Sequence, residues 1–394
     1  MRVAATSAFV VLVLLRTFAA AQAPLTHIAG WPPVAIPPTA ATNAPQVHDD
    51  HTITFRLAAP NAQRVALELR AGGPPPQGHD RSHPMMRDSQ GLWSVTIGPE
   101  PPEIYRYAFL VDGISMPDPH NQSAVVGRAQ LTSYVEVPGS PPRFDQWRDV
   151  PHGALHLREY RSAVLGIQRT LYVWVPPQYE VESRRRFPVV YLRHGNGDPA
   201  STWATLGHAG IIAENLIADG RATPMILVMP SGYPSDSGEG STEEGVVATT
   251  RELLEDIVPF VDGHYRVVGD AAHRAIAGLS MGGMQAFISG LRNVDKFAWI
   301  GAFSSTVVIL DPRFNLRAAI PGLDDAAATN KRVRLLFLSC GTEDPRFDGH
   351  LTLMSVLKAN GIRHEWFSTP GSHEWKVWRQ SLAEFLSMLF KAAR

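Results

Sequence analysis

Three residue types, met in chain order, could together do chemistry. Ser280 sits in Gly278-Leu279-Ser280-Met281-Gly282-Gly283, Asp344 in Gly341-Thr342-Glu343-Asp344-Pro345, and His373 in Pro370-Gly371-Ser372-His373. A serine hydroxyl is a weak nucleophile until a base takes its proton, and histidine, titrating near neutrality, suits that task. An acid must hold the imidazole in the useful tautomer. Asp344 is the candidate, with Glu343 beside it as rival. An oxyanion formed at the attacked carbonyl needs fixed donors. The N–H of Met281, directly after the serine, is one. The N–H of Asn196, in His194-Gly195-Asn196-Gly197, is the second, and that loop is used through its backbone, so His194 is read as structural. Trp203, just past this loop, is either a wall of an acyl pocket or a packed core tryptophan. The expected chemistry is acyl transfer from an ester, with no metal or organic cofactor required.

These residues need a scaffold that delivers them to one point. Ala275-Ile276-Ala277 reads as a short buried strand, and the stretch after Ser280 reads as a helix, so the serine falls on a tight strand-to-helix turn. The glycines at 278 and 282 give that turn room. Phe187 to Leu192 and Met225 to Met229 are continuous apolar runs, as strands buried on both faces should be. Ala209 to Ala218 has a helical period. Thr250 to Tyr265 predicts an amphipathic helix with Leu253, Leu254, Ile257, Val258 and Val261 on one side. Strands over Val333 to Ser339 and His364 to Ser368, and a last helix from Trp375 to Phe390, complete an alternating pattern. That pattern predicts a doubly wound α/β sheet over 153–394.

The front of the chain reads differently. Arg2, an apolar stretch from Ala8 to Leu15 and Ala21-Gln22-Ala23 match a secretory signal over 1–23, although Arg16 ends the apolar stretch early. Cleavage after Ala23 and a secreted or periplasmic protein, with no membrane attachment after cleavage, are expected. Residues 24–46, rich in Pro, Ala and Thr, read as a tether. From 47 to 138 short alternating strands with turn signals predict an immunoglobulin-like β-sandwich. Trp93, Tyr105 and Tyr107 could be platforms for a sugar, yet alternation puts at least some of them in the core. A Pro-rich linker over 139–152 joins the two parts.

Composition narrows the classes. The chain has 394 residues and a formal net charge of −1, so no field for a polyanion exists and nucleic acid is an unsuitable partner. Its single cysteine, Cys340, excludes an internal disulfide and reads as a small buried residue. His48-Asp49-Asp50-His51 is read as a solvated segment rather than a metal site, and His364 as a packed side chain. Gly195-x-Gly197 lacks the rest of a dinucleotide fingerprint.

The set of motifs over 150–394 resembles the carbohydrate esterase family 1 and esterase D-like hydrolases, with their α/β-hydrolase fold. The matching pieces are Tyr191 to Gly195, Glu252 to Pro259, Gly278 to Gly283, Gly341 to Asp344, and Gly371 to His373 with Trp375 and Trp378. Arg193 departs from the apolar or amide residue usual before His-Gly. Phe55 to Ala62, Gly91-Leu92-Trp93, Tyr105-Arg106-Tyr107 and Val111-Asp112-Gly113 with Asp118-Pro119 resemble the carbohydrate-binding family 48 module. The resemblance implies Ser280 as nucleophile, Asp344 as acid, His373 as base, and Asn196 and Met281 as oxyanion donors. It implies a serine esterase releasing feruloyl or, second, acetyl groups from plant polysaccharide such as xylan. A siderophore trilactone esterase is the nearest alternative, and a non-catalytic carbohydrate-binding protein the alternative of another class. The acyl group, the sugar and the oligomeric state stay open.

Overall fold

A computed structural model describes residues 44–71, 79–128, 131–236, 238–309, 320 and 325–391. The expected signal at 1–23 and nearly all of the expected tether lie outside the described residues.

The alternating strands of the front half pair into two antiparallel sheets. One orders Gln46–Val47, Ile53–Ala58, Leu92–Ile97 and Met86–Arg87; the other is built around Val65–Ala71, Glu103–Val111 and Leu131–Val137. Successive strand side chains face opposite ways, so Phe55, Leu57, Leu67, Leu69, Tyr107 and Phe109 meet in one core between the sheets. Trp93, Tyr105 and Tyr107 are all buried there. Tyr107 packs edge-on to Phe55 with 4.7 Å between ring centres, and its hydroxyl donates to Asp118 at 2.7 Å. None of the three is therefore a sugar platform.

The second half is an eight-stranded sheet ordered Ala154–Arg161, Gln168–Val175, Ile226–Pro230, Val189–Arg193, Arg274–Leu279, Trp299–Phe303, Leu335–Gly341 and Glu365–Thr369. The first two pairings are antiparallel and the rest parallel. The five apolar strands from Ile226–Pro230 to Leu335–Gly341 are buried at every position, as parallel strands covered on both faces must be. Alternate residues supply two cores. Val189, Tyr191, Ile276 and Leu338 face Leu253, Phe287 and Leu357. Val190, Leu192, Ala277 and Phe337 face Ile212, Leu216, Phe385 and Leu386 on the other side. Cys340 is buried in its strand.

The helix expected over 250–265 is longer and interrupted. It starts at Glu243, capped by Thr242, whose hydroxyl accepts from the Gly245 N–H. It widens into one π-turn at Leu253–Ile257 and resumes at Val258–His264. Pro259 lacks an N–H and its ring crowds the carbonyl of the preceding turn, and a π-turn relieves both.

The described residues of both halves belong to one compact unit. Ile104 and Val125 of the sandwich belong to a core of the second half. The Pro-rich stretch 139–152 is fastened along its length. Asn215 donates to the Phe144 and Gln146 carbonyls, and Arg379 pairs with buried Asp145 at 2.6 Å.

Candidate active site

The strand Arg274–Leu279 ends at Ser280, and the helix Met281–Arg292 starts on the next residue. Between them the chain turns so sharply that Ser280 takes φ 52° and ψ −115°, a conformation L side chains rarely adopt. The flanking glycines permit it. A Cβ on Gly278 would lie 2.5 Å from the Gly282 carbonyl oxygen, and one on Gly282 would lie 2.4 Å from the His194 carbonyl oxygen. Neither position tolerates a side chain.

Asp344 follows the strand Leu335–Gly341, and His373 precedes the helix Trp375–Met388. All three side chains meet. His373 Nε2 stands 3.0 Å from Ser280 Oγ, and His373 Nδ1 stands 2.7 Å from Asp344 Oδ2. Burial pushes the Asp344 carboxyl up, but the hydrogen bond and charge of His373 outweigh it, and the group is held at about 2. Asp344 is therefore ionised, so Nδ1 carries the imidazole proton and Nε2 is free to accept from the serine. Burial pulls His373 below its ordinary value of 6.5, against the opposing pull of Asp344. A neutral imidazole facing a hydroxyl, backed by a carboxylate, can take the hydroxyl proton during attack and return it to a leaving group. The backbone N–H of Arg346 fixes Asp344 through Oδ1 at 3.0 Å. Glu343, the rival acid, is exposed and makes no bond to His373.

The second expected donor loop, 194–197, lies against Ser280. A Cβ on Gly195 would sit 2.5 Å from Leu279 Cδ1 and 3.5 Å from Ser280 Cβ. Asn196 is exposed, while Met281 is buried at the first turn of its helix, where backbone N–H groups have no intrahelical partner. His194 acts as a staple. Its Nδ1 donates to the Gly195 carbonyl at 2.8 Å and its Nε2 accepts from the Gly232 N–H at 2.9 Å. Burial drops it to about 4, so it stays neutral and keeps both bonds.

Trp203 is not a pocket wall. It is fully buried, donates its indole N–H to the Arg193 carbonyl at 2.9 Å, and stands edge-on to Phe303 and Trp375. It offers no surface to a substrate and supports the strand that leads into the donor loop.

Sequence reasoning missed the residues that brace this loop. Arg193 is wholly buried, and burial lowers it to about 10 against the pull of Glu252. It donates to Gln285 and to the Thr249 carbonyl, and Gln285 in turn holds the Gly232 and Gly240 carbonyls at 2.7 and 2.8 Å. Tyr233 receives the Gly197 N–H at 2.5 Å and donates to Asn196 Oδ1 at 3.0 Å. Arg128, from the sandwich, lies 4.0 Å over the Tyr233 ring, donates to the Asp236 and Gly238 carbonyls, and its backbone N–H bonds the Gly197 carbonyl at 3.0 Å. No local pattern marks Arg128. Only the unusual charge at Arg193 hinted at a buried partner on a neighbouring helix.

At the front, His48 bonds Thr54 and Asp50 bonds Thr52, so both are spent locally.

Residues 162–389 match the family model described as putative esterase, and residues 41–124 match carbohydrate-binding module 48, the isoamylase N-terminal domain. A protein named endo-1,4-beta-xylanase/feruloyl esterase from Xylanibacter ruminicola is 31% identical over 358 residues, which is 88% of this chain and 46% of that protein. The chain thus spans less than half that relative's length. A solved ferulic acid esterase shares 27% identity with a TM-score of 0.51, over 60% of this chain and 97% of the other. The enterobactin esterase of Shigella flexneri shares the fold more widely, with a TM-score of 0.60 at 16% identity over 85% of this chain and 92% of the other. An α/β catalytic half with Ser280, His373 and Asp344 in contact, preceded by an all-β module, thus belongs to the putative esterase family.

Proposed function

We propose that the chain is an exported serine carboxylic-ester hydrolase acting on acylated plant polysaccharide, with feruloyl as the first acyl group and acetyl as the second. The observation that carries the reading is the unbroken contact from Ser280 Oγ through His373 to Asp344, 3.0 and 2.7 Å. Ser280 attacks the ester carbonyl and passes its proton to His373 Nε2. The N–H groups of Met281 and Asn196 receive the oxyanion, an interaction whose loss costs about 2.7–4 kcal/mol of barrier in comparable enzymes. Collapse expels the sugar alcohol, which takes the proton from His373. Water, deprotonated by the same imidazole, then splits the acyl-serine and releases the acid. The names of the xylanase/feruloyl esterase relative and of the solved ferulic acid esterase support the substrate class, as does the module 48 match.

The shared fold with enterobactin esterase, which spans both halves, supports a second reading, hydrolysis of a catecholate trilactone. Initial rates on methyl ferulate, acetylated xylan and such a trilactone, measured side by side, separate the two. The highest kcat/KM is expected on methyl ferulate. Turnover of the trilactone alone overturns the polysaccharide reading, and turnover of none, with Ser280 inert to an organophosphonate, leaves the non-catalytic alternative.

A further inference from the structure

Asp198 lies near Ser280, and the ester chemistry does not explain its state. It follows the donor loop directly and is 9% exposed. No hydrogen bond or ion pair reaches its carboxylate among the described residues. Its oxygens are not sealed from solvent, so a carboxylate this far buried that spends neither oxygen on the protein is open to a ligand from the solvent side. Its position is specific. The point a Cβ on Gly195 would occupy lies 3.5 Å from Ser280 Cβ and 3.8 Å from Asp198 Oδ2, so the nucleophile and the carboxylate flank one glycine.

Asp198 also lines an open basin of about 450 Å³. Gln168, Thr170, Ser231 and Tyr233 line it, together with Arg128 of the sandwich. Arg169 and Asp236 also line it, but Arg169 is paired with Glu252 and the Tyr233 carbonyl and Arg128 with the Asp236 and Gly238 carbonyls. Gln168, Thr170 and Ser231 can each both donate and accept hydrogen bonds, which matches hydroxyl groups. The charge of Arg106 acts on Asp198 and favours its ionised form. Burial raises Asp198 to about 7, with Arg106 opposing, in keeping with a carboxylate that lacks its partner.

We propose that this basin is the subsite for the sugar on the alcohol side of the scissile ester, with Asp198 accepting hydrogen bonds from its ring hydroxyls. The ester oxygen then lies at Ser280 while the ring that bears it rests across Gly195, and the sandwich contributes the far wall. The inference rests on the polysaccharide reading for the kind of sugar, but not for the acyl group.

The test uses the full chain and p-nitrophenyl acetate, an ester without a sugar. Ester-free arabinoxylo-oligosaccharide is added as a competitive inhibitor, and Ki is compared between the wild type and Asp198→Asn. Loss of a charged acceptor raises Ki about tenfold or more. At about pH 8 the variant melts no lower than the wild type, because an unpartnered buried charge has been removed. Gln168→Ala, on an exposed strand end, raises Ki by a smaller factor and serves should Asp198→Asn fail to fold. An unchanged Ki in both variants overturns the proposal, as does failure of the oligosaccharide to inhibit the wild type. A lowered melting temperature with a matching loss of p-nitrophenyl acetate turnover in Asp198→Asn also overturns it, since the carboxylate is then structural. Failure of the feruloyl reading would show separately, as a flat rate on methyl ferulate.

Discussion

Asp344→Asn tests the electrostatics of the site against its nearest competitor, Glu343→Gln. In the attack step His373 gains a proton and becomes a cation whose Nδ1 is 2.7 Å from the buried Asp344 carboxylate. Two unit charges about 4 Å apart at an effective dielectric near 20 attract by about 4 kcal/mol. Removing that attraction raises the barrier by about three decades in rate. The amide adds a second penalty. Its NH2 can face Nδ1, which moves the imidazole proton to Nε2 and blocks acceptance from Ser280, and the combined loss reaches about 10⁴ where such a swap has been made in serine proteases. Glu343 is exposed, so its amide variant stays within about twofold of the parent. The assay is kcat/KM on p-nitrophenyl acetate, with circular dichroism to verify folding. An Asp344→Asn enzyme within about tenfold of the parent, or a Glu343→Gln enzyme that falls as far, refutes the reasoning.

Other outcomes follow from the same geometry. The base works only when neutral, and burial holds His373 below 6.5, so the acid limb of kcat/KM has its midpoint below that value and activity is level above it; a midpoint above 6.5 contradicts the burial argument. His194→Leu leaves the Gly232 N–H and the Gly195 carbonyl without their bonds, which destabilises by about 2–6 kcal/mol and lowers kcat; an unchanged urea midpoint and kcat argue against the staple. Arg128→Ala removes a cation–π contact of about 0.5–1 kcal/mol and two carbonyl bonds at the surface, so kcat falls several-fold with a small change in melting temperature; Arg128→Lys recovers part of it, and no change in kcat excludes a link from the sandwich to the donor loop.

Much of the catalytic half was legible because its signals are local. Phe187 to Leu192 and Met225 to Met229 are continuous apolar runs, as a strand covered on both faces needs. Ser280 was legible because its turn needs glycine on both sides, and the structure shows the clashes any other residue would make. Asp344 and His373 were legible from their places after one strand and before the last helix. What stayed hidden depends on contacts distant in sequence. Trp203 has the same neighbours in sequence whether it lines a pocket or fills a core, and only the packing of Phe303 and Trp375 decides it. Arg128 and Tyr233 meet across two halves of the chain, and no pattern within either half records that. Tyr105 and Tyr107 alternate as half-buried strands do, which cannot tell the inner face from the outer one. The π-turn at Leu253–Ile257 follows from Pro259, but its exact extent depends on the helix that precedes it.

Every step of the proposed reaction requires Ser280 to be the activated nucleophile. A fluorophosphonate probe, followed by digestion and mass measurement, reads this directly. One equivalent on the peptide containing Ser280, abolished in Ser280→Ala and slowed by about three decades or more in His373→Ala, is the predicted result. Modification at another residue, or undiminished labelling in Ser280→Ala, would contradict it.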